Sequence, residues 1–217
     1  MPNGFLKRNM KFELSYKLEN EIQFAKNVIA KLDWFLENGY RPRVPKGIDK
    51  NSSIEELESV VRGDFIVSEK IFMTIEKELT ELLDRHEVAI NKFFANFEYD
   101  VPENIKVYFT SYGNGGSYYV PNGMSILITN SILDILRIII HETIHLIIEK
   151  PFIRENKIPH FQKEMVVDIL CRSSLLADVI KDSKIQKVSE KIPRELIEKL
   201  RFKNRESLDY KPYIIEE

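Results

Sequence analysis

His141-Glu142-Thr143-Ile144-His145 sets two imidazoles four residues apart, with a carboxylate directly after the first. On a helix of ~3.6 residues per turn the histidines share a face and can bind one Zn²⁺, while Glu142 stands beside the open metal position. The flanking residues make this segment a helix. Ser131-Ile132-Leu133-Asp134 can cap its start, and Pro151 stops it after Lys150. Between those signals Ile132, Leu133, Ile135, Leu136, Ile138, Ile139, Ile140, Ile144, Leu146, Ile147 and Ile148 leave it apolar nearly all round, so it is expected to be buried. Two histidines and a glutamate are costly to leave unpaired there, and a metal ion with an outlying carboxylate would resolve that cost.

A catalytic zinc site keeps three protein ligands and an open fourth position. Glu164 is the candidate third ligand. It follows His145 by eighteen residues, in Lys163-Glu164-Met165-Val166-Val167-Asp168-Ile169, a run that also has helical spacing. Asp168 lies one turn beyond Glu164 on the same face, suitably placed to accept the second ring N–H of a ligand histidine and fix its tautomer. The usual structural zinc sites are rich in cysteine, and Cys171 is the single cysteine of the chain, which points to an open site. The competing interpretation is a pair of ordinary buried, hydrogen-bonded histidines. His160 precedes Glu164 by four and reads as an alternative ligand, a substrate contact, or a plain first-turn residue after Pro159. His86, within Asp84-Arg85-His86-Glu87, reads as a solvated surface residue.

With its spacing to Glu164 and Asp168, the motif resembles the gluzincin metallopeptidases, the group of thermolysin and the zinc aminopeptidases. The resemblance covers about residues 104 to 181. It implies His141, His145 and Glu164 as zinc ligands, Glu142 as general base and Asp168 as the residue that orients the first histidine. The fold it implies is an α+β, zincin-like core, in which a small, mainly antiparallel sheet packs on the motif helix and the Glu164 helix. The larger gluzincins often stabilise the oxyanion with a His or Tyr beyond the Glu helix, and no His follows His160 here. The candidates are Tyr210, Tyr213, Arg172 and the Tyr118-Tyr119 pair. The implied activity is hydrolysis of a peptide or protein substrate. The alternative is a latent or inactive zincin-like protein that binds zinc and recognises a partner peptide, with residues 1–100 covering the cleft.

The remaining sequence supplies the frame. Ser15 to Asn38 carries apolar residues at helical spacing and is closed by Gly39, which predicts one long helix. Ser53-Ile54-Glu55-Glu56 is a capping box for a short helix ending near Gly63, and the periodicity returns from Ser68 to Phe97 as a second long helix. After Pro102, Ile105 to Thr110 alternates with period two and predicts a strand. Ser117–Val120 and Ser125–Thr129 predict two more around Pro121-Asn122-Gly123; the resemblance implies 115–120 as the candidate edge for an extended substrate, the alternative being an ordinary hairpin that closes the core. The Glu164 helix is expected from Pro159 to Lys181, and a last helix from Pro193 to Phe202. The chain is thus expected to divide into a helical N-terminal region, 1–100, and a catalytic core, 101–217. Of 217 residues 43% are hydrophobic, and the formal net charge of −2 excludes a polyanion-binding signature, so nucleic acid is not an expected partner. No uncharged run reaches the ~18 residues needed to span a bilayer, and Met1 to Arg8 has no apolar h-region, so a cytoplasmic protein without membrane partners is expected.

Overall fold

A computed structural model describes residues 10–180 and 191–215. Its first element is a strand, β1 (Lys11–Ser15), whose alternating Phe12 and Leu14 pack against the main core. β1 pairs in parallel with β2 (Asn104–Thr110), from Lys11↔Asn104 to Ser15↔Tyr108. Parallel neighbours need a long crossover, and the helices supply it: α1 (Leu18–Ala30), α2 (Leu32–Glu37) and α3 (Ile54–Phe94). The helical region expected over 1–100 is therefore the connection between two adjacent strands, and the boundary at residue 100 runs through one sheet.

Several helix boundaries differ from expectation, three of them by several residues or more. The helix predicted from Ser15 starts at Leu18 because Lys11–Ser15 is in the sheet, and it breaks at Lys31 into α1 and α2. The short helix expected to end at Gly63 runs on to Phe94 as one 41-residue element, about 60 Å long at 1.5 Å per residue. Its capping box is present: Ser53 Oγ accepts from the Glu56 N–H at 3.1 Å, and Glu56 Oε2 accepts from the Ser53 N–H at 2.8 Å. A mid-helix glycine costs about 1 kcal/mol, less than the burial of Leu57, Val61, Phe72, Ile75 and Leu79 returns. The third case is α5 (His160–Cys171), which ends well before the expected Lys181; Lys181 itself lies outside the described residues, as do Met1 to Arg8.

The sheet order is β1-β2-β4-β3, with β3 (Gly116–Tyr119) and β4 (Gly123–Leu127) joined as a hairpin. The expectation of a mainly antiparallel sheet is corrected: β1–β2 and β2–β4 are parallel, and β3–β4 is the one antiparallel pair. A simple meander would have put β3 beside β2. Instead β4, with Gly123, Met124, Ser125 and Ile126 all buried, takes the inner position, and the more polar Gly-Ser-Tyr-Tyr of β3 goes to the edge. Central strands must be apolar on both faces, which is what separates these two sequences.

One face of the sheet, carrying Ile105, Val107, Phe109, Met124 and Ile126, packs with α3, α4 (Ile132–Ile148) and α5 around the main core. A smaller cluster of Ala25, Val28, Ile29, Leu57, Val61 and Tyr112 joins α1 to the start of α3. Pro151 does not terminate α4 cleanly. The chain widens into a π-helical turn over Glu149–Arg154, a register that accommodates the missing proline N–H. After α5 the chain returns through β5 (Ile192–Pro193), α6 (Arg194–Lys199) and β6 (Ile214–Ile215), with β5 and β6 parallel and Phe202 packed at a tilt on Phe93 and edge-on to Phe97. Among the described residues no helix is long and apolar enough to cross a membrane.

Candidate metal centre

α4 and α5 pack side by side and bring their polar residues to one point. His141 Nε2 and His145 Nε2 are 3.1 Å apart, and Glu164 Oε2 lies 3.2 Å from the first and 3.3 Å from the second. Helical spacing accounts for the pair on α4, and α5 contributes the carboxylate from its second turn. Among the described residues this is the group of His, Cys, Asp and Glu that could hold a metal ion. An ion bound at ~2.0–2.2 Å with tetrahedral geometry sets its ligands ~3.3–3.6 Å apart, so the observed triangle is close to that spacing. The donor chemistry fits as well. Two ring nitrogens and a carboxylate oxygen converge where a single proton cannot satisfy every pair, while one cation would.

Asp168 stands behind the cluster, with Oδ1 3.5 Å from His141 Nδ1. That distance is longer than an ordinary N–H···O bond and leaves an electrostatic contact. The Cys171 thiol also acts on His141, a partner the sequence reasoning missed. Its signal was present, since Glu164, Asp168 and Cys171 recur at i, i+4 and i+7 along one face of α5. His145 Nδ1 is buried without a hydrogen-bond partner, but the Tyr118 ring lies flat on its imidazole, 4.7 Å between centroids and 10° between planes.

Strand alternation explains why Tyr118 and its neighbour part company. Tyr118 pairs with Met124 and Gly116 with Ile126, so both point to the α4 face. Tyr119 points the other way, its hydroxyl 2.7 Å from Ser125 Oγ and its ring stacked near Phe24. Tyr118 is held by three cross-links: its hydroxyl donates to Glu149 Oε2 at 2.7 Å, Lys163 Nζ donates to that hydroxyl at 3.0 Å, and the Lys163 ammonium sits 5.2 Å from the ring centre. The π-helical turn thus has a local use, because it aims Glu149 at the edge strand. Gly116 faces α4 so closely that a Cβ there would lie 2.5 Å from Ile138 Cγ2 and 2.7 Å from Glu142 Oε1.

Burial sets the charge states of the cluster. It pushes the Glu142 carboxyl up to about 7, with Glu164 adding repulsion and His141 opposing. It pulls His145 down to about 4, so this imidazole is neutral near pH 7 and free to coordinate. Burial works against a charged His141 and a charged Glu164. Contacts with Cys171 and Glu164 nevertheless hold His141 well above its usual value, and hydrogen bonds from both histidines hold Glu164 well below the usual carboxylate range. Glu164 thus carries negative charge between the two imidazoles.

The cluster opens into a cleft of about 480 Å³. Gly115 to Tyr118 line one side, Ile138 and Glu142 the floor, and His160, Lys163 and Glu164 another side. The far wall comes from the crossover, through Trp34, Phe35 and Tyr40. Tyr40 Oη is 3.1 Å from His160 Nε2, and His160 Nδ1 is 3.7 Å from Glu164 Oε1, so His160 faces the cleft from the first turn of α5. Burial, then Glu164, raises the pKa of Tyr40 and keeps it a hydrogen-bond donor. Of the expected oxyanion candidates only Tyr118 reaches the cleft. Arg172 bonds to Tyr213, and both, with Tyr210, lie outside the lining. Tyr40, Trp34 and Phe35 were not singled out by sequence, because no local spacing ties them to residues more than a hundred positions away.

No family model, curated protein or solved structure matches this chain. The possible chemistry is set by what the site holds. It offers a buried three-atom cation cradle, a carboxyl that changes protonation near neutrality, a phenol and an imidazole facing the same space, and an edge strand open to that space.

Proposed function

We propose that this chain is a small zinc-dependent peptidase of gluzincin type, with a zincin-like arrangement of edge strand, motif helix and Glu164 helix. His141, His145 and Glu164 would hold the metal, and Asp168 and Cys171 would orient His141. The observation that carries this is the convergence of the three ligand atoms within 3.1–3.3 Å of one another beside Glu142, in one cleft. Two imidazoles and one carboxylate suit zinc among the common divalent ions. Bound there, zinc supplies Lewis acidity, bringing the pKa of water at its open position to near ~7 and polarising a substrate carbonyl.

The chain's own residues do the rest. Glu142 takes a proton from the attacking water, whose oxygen adds to the carbonyl carbon, and then delivers that proton to the amide nitrogen as the C–N bond breaks. A carboxyl poised near 7 can both accept and return a proton at neutral pH. Tyr118 keeps the His145 ring in place from the edge strand. With His160 Nε2–H donating to its oxygen, the Tyr40 hydroxyl would present its proton to the carbonyl oxygen as it gains charge. The free edge of β3 pairs with the backbone of an extended peptide, which sets the scissile bond over Glu142.

The test is Glu142→Gln. Elemental analysis is expected to give one zinc per chain in both wild type and variant, while peptide hydrolysis falls by about 10²–10⁴-fold in the variant. His141→Ala is expected to lose both metal and activity. Unchanged turnover in Glu142→Gln refutes the proposal. The rival, a metal-binding protein that holds a partner peptide without turnover, expects bound zinc and no hydrolysis by wild type. The open space beside Glu142, which the crossover walls but does not fill, supports turnover over a latent form.

A further inference from the structure

The wall that α2 gives to the cleft is aromatic beyond what packing requires. Phe35 is partly buried against the small cluster under α1, so its place is explained by the fold. Trp34 is 51% exposed and is part of the cleft lining. Its ring stacks on Tyr40 at 6.0 Å and 19°, and meets Phe35 edge-on at 5.3 Å. Tyr40 meets Phe35 edge-on at 6.3 Å and is tied through its hydroxyl to His160 on α5. The result is a three-ring surface, braced at both ends, that leaves a large apolar face wet inside a concave polar site. Such a face, next to convergent polar groups, marks a place for an apolar part of a ligand.

We infer that Trp34, Phe35 and Tyr40 form a side-chain subsite that selects a large apolar residue, aromatic above all, in an extended peptide lying along β3. That the ligand is a peptide rests on the function proposed above; that the subsite is apolar rests on the rings alone. Side chains of an extended peptide alternate with period two. One residue of a peptide paired with the edge strand then turns toward Glu142 and the floor, and a neighbour toward the α2 wall. Two or three stacked and edge-on rings offer a phenyl group the offset and T-shaped contacts aromatic pairs prefer, which a methyl group cannot use. The Trp34 and Phe35 rings set which peptide is held and take no part in bond breaking.

Trp34 is the only tryptophan of the chain, so it reports its own contact. The probes are two blocked hexapeptides, one of alanine throughout and one with phenylalanine at the third position. With wild type, hydrolysis of each is followed by mass spectrometry. With Glu142→Gln, binding is followed by the fluorescence of Trp34. The phenylalanine peptide is expected to give a saturable shift of that emission and at least tenfold higher kcat/KM than the alanine peptide. In Trp34→Ala the preference ratio is expected to fall at least tenfold, and in Trp34→Phe most of it returns. A saturable fluorescence response without cleavage keeps the subsite and overturns the peptidase. Cleavage with equal rates on both peptides and no Trp34 response overturns the subsite and keeps the peptidase. Neither response overturns both. Because Trp34 is half exposed, its variants are expected to keep the wild-type melting temperature; a large fall would assign the ring to the fold and remove it from the subsite.

Discussion

Replacing Gly116 with alanine adds a methyl group where the edge strand comes closest to the motif helix. The new Cβ would lie 2.5 Å from Ile138 Cγ2 and 2.7 Å from Glu142 Oε1. Carbon atoms in ordinary contact sit about 3.5–4.0 Å apart, so about 1 Å of overlap must be absorbed by the strand, by Ile138 or by the carboxylate. Overpacking of that size costs about 1–3 kcal/mol. At about 2–4 °C per kcal/mol for a chain of this length, the melting temperature should fall by roughly 2–12 °C. A displacement of Glu142 of about 1 Å should also lower kcat on the order of 10²-fold. Gly115→Ala is the internal control, since its Cβ would meet only Ile138 Cδ1 at 3.9 Å, an ordinary contact. That variant should stay within about 0.5 kcal/mol of wild type. Thermal unfolding of the two variants in one buffer, followed by peptide hydrolysis on the same samples, decides the matter. Equal melting temperatures for both, with Gly116→Ala fully active, would show that β3 does not press on α4 and would remove the account of how Glu142 is held.

Zinc added at about 100 times its dissociation constant should stabilise the protein by about 2.7 kcal/mol, a rise of roughly 5–11 °C in melting temperature that His141→Ala abolishes; equal shifts in both proteins would place the metal elsewhere. Gly63→Ala should stabilise by about 0.5–1 kcal/mol, because a Cβ there meets nothing within 4 Å on an exposed helix face, and a loss of stability would contradict a continuous α3. Glu21 is fully buried, and burial raises its carboxyl pKa against hydrogen bonds from the Ser111 N–H at 2.7 Å and the Tyr16 hydroxyl at 3.2 Å. A raised carboxyl means that the folded state holds the proton more tightly. Its contribution to stability is thus fullest below the ordinary carboxylate pKa and declines as pH rises from there through the folded value. Glu21→Gln removes the titration, so its stability relative to wild type should improve with rising pH across that window, measured by chemical denaturation; a constant difference would show that Glu21 is not a buried acid.

The site was legible where one helix writes its own spacing. His141, Glu142 and His145 declare a face within five residues, and Glu164 and Asp168 declare another within five, so only the packing of two adjacent helices was left to infer. Ser53 and Glu56 were equally readable, as both halves of a capping box lie within one turn. The features that escaped depend on distant partners. β1 is five residues whose alternation becomes a strand only once β2 exists, and the order β1-β2-β4-β3 rests on a comparison of burial between two short strands. Gly63 looked like a stop because its local penalty is visible, while the compensating burial along α3 is not. Trp34 and Tyr40 meet the cleft only because α2 turns off from α1 at Lys31, a bend for which the residues Ala30, Lys31 and Leu32 carry no breaker.

The parallel pairing of β1 with β2 sets a condition on handling the molecule in pieces. A fragment starting near residue 101 would keep the His141–His145 motif yet leave β2 with a bare row of amide and carbonyl groups, and would strip Ile105, Val107 and Phe109 of the Phe72 and Leu79 side that shelters them. An unpaired strand edge above an uncovered apolar face invites self-association. The shortest unit fit for preparation therefore begins upstream of Lys11, and the histidine pair travels with its distant N-terminal strand or aggregates without it.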